Sequence, residues 1–149
     1  MVREIILDTE TTGLNPLEGH KIVEIAAVEL IDHVRTENNF HYYINPERDI
    51  PETSQKIHRI SNEMVKDKPT FKEVIQEFLK FIQNDSIIIH NADFDLKFLN
   101  YQLGLSGMNN LQNNIIDTLS LARSKYPGSS VSLDSLCKKY RIDNSKRVR

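Results

Sequence analysis

Two short runs of this sequence gather residue types suited to metal-assisted or acid–base chemistry. The first is Ile5-Ile6-Leu7-Asp8-Thr9-Glu10-Thr11-Thr12-Gly13. If the apolar residues form a strand, its side chains alternate, and Asp8 and Glu10 share one face roughly 7 Å apart along the chain. They stand at the carboxyl end of that strand, where open α/β sheets place their ligands. Two carboxylates at the end of an apolar strand are costly unless something positive neutralises them, and no Lys or Arg lies between Arg3 and Lys21 to do so locally. A divalent cation answers the need, and Mg²⁺ or Mn²⁺ favours such all-oxygen ligands. Spacing alone leaves a second reading open, in which both carboxylates are solvated and Thr11 and Thr12 cap the turn. A helix–loop–helix calcium site is excluded. Counted from Asp8, the twelfth position is Gly19 rather than Glu, and a strand rather than a helix precedes the loop.

The second run is Ile87-Ile88-Ile89-His90-Asn91-Ala92-Asp93-Phe94-Asp95. Again an apolar strand ends in polar residues. One of Asp93 and Asp95 suffices to favour a helix N-terminus. The other is then available to point at the end of the first strand, and a third carboxylate converging on Asp8 and Glu10 would complete a two-metal site of the kind used in phosphodiester hydrolysis.

The elements that must position these runs follow from pattern. Glu4–Leu7, Ile22–Ile31 and Phe40–Ile44 read as three strands separated by turns, which suggests a meander. Thr70 and Glu73 form a capping box ahead of Phe71, Val74, Ile75, Phe78, Leu79 and Ile82 at helical spacing. Ser86–Ile89 is a short strand of the kind buried on both faces. Residues Phe94–Leu103 read as a helix closed by Gly104, Asn114–Ile116 as a fifth strand running into Asp117, and Ser132 as the start of a last helix. Three strands followed by strands alternating with helices imply an α/β fold, a mixed sheet covered by helices.

A chain of 149 residues fits a single domain. No apolar run is long enough to span a bilayer, and Asp8 interrupts the N-terminal apolar run, so it does not read as a signal peptide. One cysteine, Cys137, cannot form an internal disulfide, and a reducing cytoplasm is the expected setting. Of 19 basic and 21 acidic residues, residues 138–149 hold six basic ones and Asp143 alone, leaving 13 basic against 20 acidic in residues 1–137. So acidic a body argues against duplex binding through a broad cationic face, yet it suits a site that grips phosphate through metal ions. The basic tail reads equally as a solvated end or as a nucleic-acid contact.

Together the motifs Asp8-Thr9-Glu10-Thr11-Thr12-Gly13-Leu14 and His90-Asn91-Ala92-Asp93-Phe94-Asp95 resemble the DEDDh family of 3′–5′ exonucleases, in the branch that proofreads for bacterial replicative polymerases. The resemblance runs over the whole chain, including Asp117-Thr118 and Ile142-Asp143-Asn144-Ser145-Lys146-Arg147. It implies a ribonuclease-H-like fold, a five-stranded mixed sheet flanked by helices. It also implies two Mg²⁺ or Mn²⁺ ions and metal-assisted hydrolysis of the 3′-terminal phosphodiester of DNA, releasing nucleoside monophosphates. The polymerase catalytic subunit is the implied partner, and no membrane is involved. By the same resemblance Asp8 and Glu10 are first-motif metal ligands and Asp95 is the second-motif ligand, while Asp93 belongs to the surface or a cap. Thr11 and Thr12 face the sugar or base of the terminal nucleotide, or serve the turn through their hydroxyls. His58 matches a family histidine near that nucleotide, or is a surface residue of a short helix. Thr53 and Arg59 depart from the Glu and Gly that many relatives carry there. In the family a His-Gly-x-x-x-Asp stretch soon follows the segment matching Asp143–Arg147 and supplies the general base, the fourth ligand and a final helix. This sequence stops at Arg149, which implies a C-terminally shortened domain of doubtful activity. Two alternatives share the resemblance: an exonuclease of RNA 3′ ends, and an inactive remnant or polymerase-binding module.

Overall fold

The computed structural model describes residues 1–146; Arg147 and Arg149 of the basic tail lie outside the described residues. Three strands, β1 (Arg3–Thr11), β2 (Ile22–Ile31) and β3 (Val34–Tyr43), form an antiparallel meander. Two more, β4 (Ser86–Ile89) and β5 (Ile115–Asp117), add in parallel on the other side of β1, giving the sheet order β3-β2-β1-β4-β5. The fold is thus the mixed five-stranded sheet expected from the sequence.

The sheet buries one face against two helices, α3 (Phe71–Ile82) and α4 (Ala92–Leu105). Ile5 and Leu7 of β1, Ile25 and Ala27 of β2, and Ile87 and Ile89 of β4 meet Phe78 and Ile82 of α3 and Phe98, Leu99 and Leu103 of α4 in one cluster. The alternation that sends Ile5, Leu7 and Thr9 inward sends Ile6, Asp8 and Glu10 to the opposite face, where Ile6 is 38% exposed between Val28 and Ile88. The capping box forms as expected, with Thr70 N–H donating to Glu73 Oε1 at 3.0 Å.

Several boundaries differ from expectation: β1 runs on past Leu7 to Thr11, β5 shifts to Ile115–Asp117 and α4 starts at Ala92, and two further differences have clear physical reasons. Strand β3 begins at Val34, not Phe40, because residues 34–39 lie along an exposed edge and carry almost no apolar signal. A tight turn with Asp32 and His33 both at positive φ joins it to β2, as the twist of a two-residue hairpin requires. Helix α4 runs through Gly104 to Leu105. The residue that closes it is Gly107, at φ 75°, with Gly107 N–H bonded to Gly104 O at 3.0 Å and Met108 N–H to Leu103 O at 2.9 Å, a Schellman closure. Three short helices lack a clear apolar stripe in sequence: α1 (Glu52–His58), α2 (Asn62–Val65) and α5 (Thr118–Lys125). The last helix, α6 (Leu133–Lys139), starts from Ser132 as expected, the Ser132 hydroxyl accepting from Ser135 N–H.

Candidate active site

The carboxyl ends of β1, β4 and β5 open on one side of the sheet, and the loops there frame a cavity of about 840 Å³. Asp8 and Glu10 reach it from β1, where Asp8 is exposed and Glu10 half-buried. Asp95, in the first turn of α4, is 4% exposed and lines the same cavity. The hydroxyl of Thr9, whose side chain points to the opposite face of β1 from Asp8 and Glu10, donates to Asp95 Oδ1. Asp93, by contrast, is exposed in that turn and absent from the lining.

What holds α4 at this position is Asp117, the last residue of β5. Its carboxylate accepts the N–H groups of Asn91 at 3.0 Å and Ala92 at 3.1 Å, and that of Leu119 at 2.9 Å, so one side chain anchors the start of two helices. Burial works to raise its pKa, but the converging N–H groups of Leu119, Ala92, Asn91 and Ser120 prevail and hold the carboxyl below its ordinary value. Asn91 itself adopts φ 67°, the turn that swings the chain from β4 into α4. His90 Nδ1 lies 2.9 Å from Thr118 Oγ1, and its Nε2 is buried at the cavity wall without a hydrogen-bond partner among the described residues.

The turn after β1 forms the opposite wall. Thr11 Oγ1 donates to Gly13 O at 2.6 Å. Thr12 Oγ1 accepts from Lys21 N–H at 3.0 Å and lies 2.8 Å from His20 Nδ1. Both threonine side chains therefore serve the turn, although both residues line the cavity. The His20 ring lies over Gly13 so closely that a Cβ there would fall 2.4 Å from it. Burial, then the charge of Arg48, lowers the His20 pKa against an opposing pull from Glu18. His58 is buried rather than on the surface. Its Nδ1 accepts from Ile60 N–H at 3.0 Å, so Nε2–H donates to Thr11 O at 3.1 Å, tying α1 to the end of β1.

All six residues singled out in the sequence, Asp8, Glu10, Thr11, Thr12, His58 and Asp95, thus line one cavity, with apolar Leu14, Ile57 and Phe94 beside them. The three carboxylates are an all-oxygen donor set suited to a hard divalent cation. They do not form a ready-made cage: among the described residues no three His, Cys, Asp or Glu side chains stand close enough together to hold a metal ion. Sequence reasoning passed over Thr9, His20 and His90. Thr9 was open to inference, since alternation places it on the core face between two carboxylates. Nothing in the local sequence marks His20, which reaches the site only through the fold of the turn.

Residues 5–147 match the model of the exonuclease family. The chain is 55% identical over 150 residues to the DNA polymerase III subunit epsilon of Rickettsia prowazekii, and the match covers 98% of this chain and 66% of that protein. It is 44% identical over 156 residues to the subunit of the same name from Escherichia coli, covering 99% of this chain and 64% of that one. The chain therefore spans a little under two thirds of the length of these relatives. Among solved structures, exonuclease X in complex with 5′-overhanging duplex DNA superposes with a TM-score of 0.76 at 32% identity, over 94% of this chain and 74% of that chain. Exonuclease I, at 16% identity and a TM-score of 0.86 over 99% of this chain and 37% of that chain, shares the fold.

Proposed function

The chain belongs to the exonuclease family, and from that premise we propose that it is the nuclease domain of a 3′–5′ DNA exonuclease that proofreads for a replicative polymerase in the cytoplasm. The observation that carries the reading is that Asp8 and Glu10 line the same cavity as Asp95, more than eighty residues away in sequence. The polymerase enters through the relatives, named as subunits of DNA polymerase III, and the 3′ end through the resemblance of the two carboxylate motifs. Asp8, Glu10 and Asp95 are the residues to hold one or two Mg²⁺ or Mn²⁺ ions. Bound there, such ions lower the pKa of a water molecule and stabilise charge on the attacking and leaving oxygens.

This chain's own groups do the rest. Thr9 orients Asp95. The Asp117 anchor fixes the helix that carries Asp95. His58 and the Thr11–Gly13 turn form a wall braced by hydrogen bonds, so the groups beside a terminal nucleotide are fixed before it arrives, which reduces the entropy lost on binding. Leu14, Ile57 and Phe94 offer apolar surface for the sugar and base.

The test is a timed digestion of 5′-end-labelled single-stranded DNA with Mn²⁺. Stepwise shortening from the 3′ end is expected, slowed about 10³-fold in Asp8→Ala, the equivalent of about 4 kcal/mol of transition-state stabilisation. Shortening that Asp8→Ala leaves unchanged, or that proceeds from the 5′ end, would overturn the proposal. A parallel RNA oligonucleotide separates the RNA-end alternative.

A further inference from the structure

We propose that the corner between α5 and α6 is a second binding surface, which takes the single-stranded polynucleotide leading into the cavity; this rests on the reading of the cavity as a 3′-end site. The corner is built from Tyr126, Tyr140, Lys125 and Lys139. The two tyrosine hydroxyls are hydrogen-bonded to each other, and their rings stand 6.2 Å apart at 60°. Lys139 Nζ sits 3.6 Å from the Tyr126 ring centroid. Lys125 Nζ lies 5.4 Å and 5.7 Å from the centroids of Tyr126 and Tyr140 and donates to the Tyr140 hydroxyl at 3.4 Å. Tyr140 nevertheless leaves 49% of its surface in solvent.

A half-exposed tyrosine beside a second aromatic ring and two lysines has the composition of sites that stack bases and track phosphates without reading sequence. Charge distribution agrees. The body of the chain, residues 1–137, holds 20 acidic residues against 13 basic ones, whereas Lys138, Lys139, Arg141 and Lys146 lie in this corner or shortly after it in sequence. Position agrees too. Ser132, Leu133 and Asp134 at the start of α6 line the cavity, and Tyr140 closes the far end of that helix. Seven helical residues rise about 10 Å, a distance within reach of a short stretch of single strand. A strand whose last nucleotide occupies the cavity reaches the tyrosines with the nucleotides upstream of it.

The experiment compares two ligands on the whole chain: thymidine monophosphate, which fills only the cavity, measured with Mn²⁺, and labelled dT12, measured by fluorescence anisotropy in EDTA, with U12 alongside. Tyr140→Ala should weaken dT12 at least about fivefold, the lower end of one base–aromatic stack, and Tyr140→Trp should restore it. Lys125→Ala with Lys139→Ala should reduce the slope of log affinity against log salt by about 1.4, or about 0.7 per phosphate contact. Binding of thymidine monophosphate and the melting temperature should hold in all of these. A loss with either oligonucleotide supports the surface, and which of the two is affected identifies the polynucleotide. If neither oligonucleotide binds the unaltered chain, or both bind all variants equally, the proposal falls. It falls also if every loss is matched by a lower melting temperature and weaker monophosphate binding, for then the corner only pins α5 to α6. Should thymidine monophosphate not bind while Tyr140→Ala still weakens dT12, the cavity reading fails and this one stands.

Discussion

The two ends of β1 hold their charged groups through different donors. At its amino end Arg3 donates Nε–H to Glu29 at 2.5 Å, one terminal N–H to Asp85 at 2.7 Å and the other to Phe81 O at 2.7 Å, joining β1 to β2 and to the α3–β4 connection. Burial works to lower the Arg3 pKa, and the hydrogen bonds to Glu29 and Asp85 more than restore it. At the carboxyl end Asp95 is oriented by the hydroxyl of Thr9 and Asp117 by backbone N–H groups. A guanidinium paired with two carboxylates holds elements together at the first end, whereas a hydroxyl and backbone amides donate to carboxylates at the second. We propose that the first end serves structure and the second chemistry.

The sharpest way to break that contrast is to mutate both ends and measure both properties. Asp95→Asn should slow Mn²⁺-dependent digestion by about 10³-fold, as for Asp8→Ala, without lowering the melting temperature. Arg3→Met should do the reverse, lowering stability by about 1–2 kcal/mol in denaturant unfolding while digestion by the folded molecules persists. If Asp95→Asn mainly unfolds the chain, the carboxyl end is structural after all.

Asp117 sits between the two roles, since its charge is used for structure at the functional end. Asp117→Ala should cost about 1–3 kcal/mol, a cap together with hydrogen bonds to an ionised group. Because folding depresses its pKa, its contribution is fully present above the ordinary carboxylate pKa of about 4 and is lost as pH falls through the lower folded value. The stability gap between the unaltered chain and Asp117→Ala should therefore be level near neutrality and close in acid. A gap that widens in acid would contradict the sign.

Much of this arrangement was legible in the sequence, and the exceptions have two causes. Ile5, Leu7, Ile87 and Ile89 announce their strands because each alternates or clusters apolar residues, and the polar residues ending each strand mark the site. The polar half of β3 and helix α5 bury too little to leave a period. His58 lines the cavity, but its burial depends on Ile60 N–H and Thr11 O, which meet it only through the fold. His20 depends likewise on the fold bringing it over Gly13.

Thr9→Val gives the smallest expected effect and the finest discrimination. It keeps the shape on the core face and removes the hydroxyl that orients Asp95. A loss of about 10- to 100-fold in digestion is expected, the scale of removing a partner that orients a metal ligand. Unchanged digestion would show that Asp95 needs no such support.

The central claim is that Asp8, Glu10 and Asp95 together hold divalent metal, and thermal melting with and without Mn²⁺ tests it most directly. At a hundredfold excess over Kd, a bound ion stabilises the folded chain by about 2.7 kcal/mol, or roughly 5–10 °C for a domain of this size. The account predicts that rise in the unaltered chain and its disappearance in Asp8→Ala and in Asp95→Asn. Equal rises in all three proteins, or no rise in the unaltered chain, would contradict it.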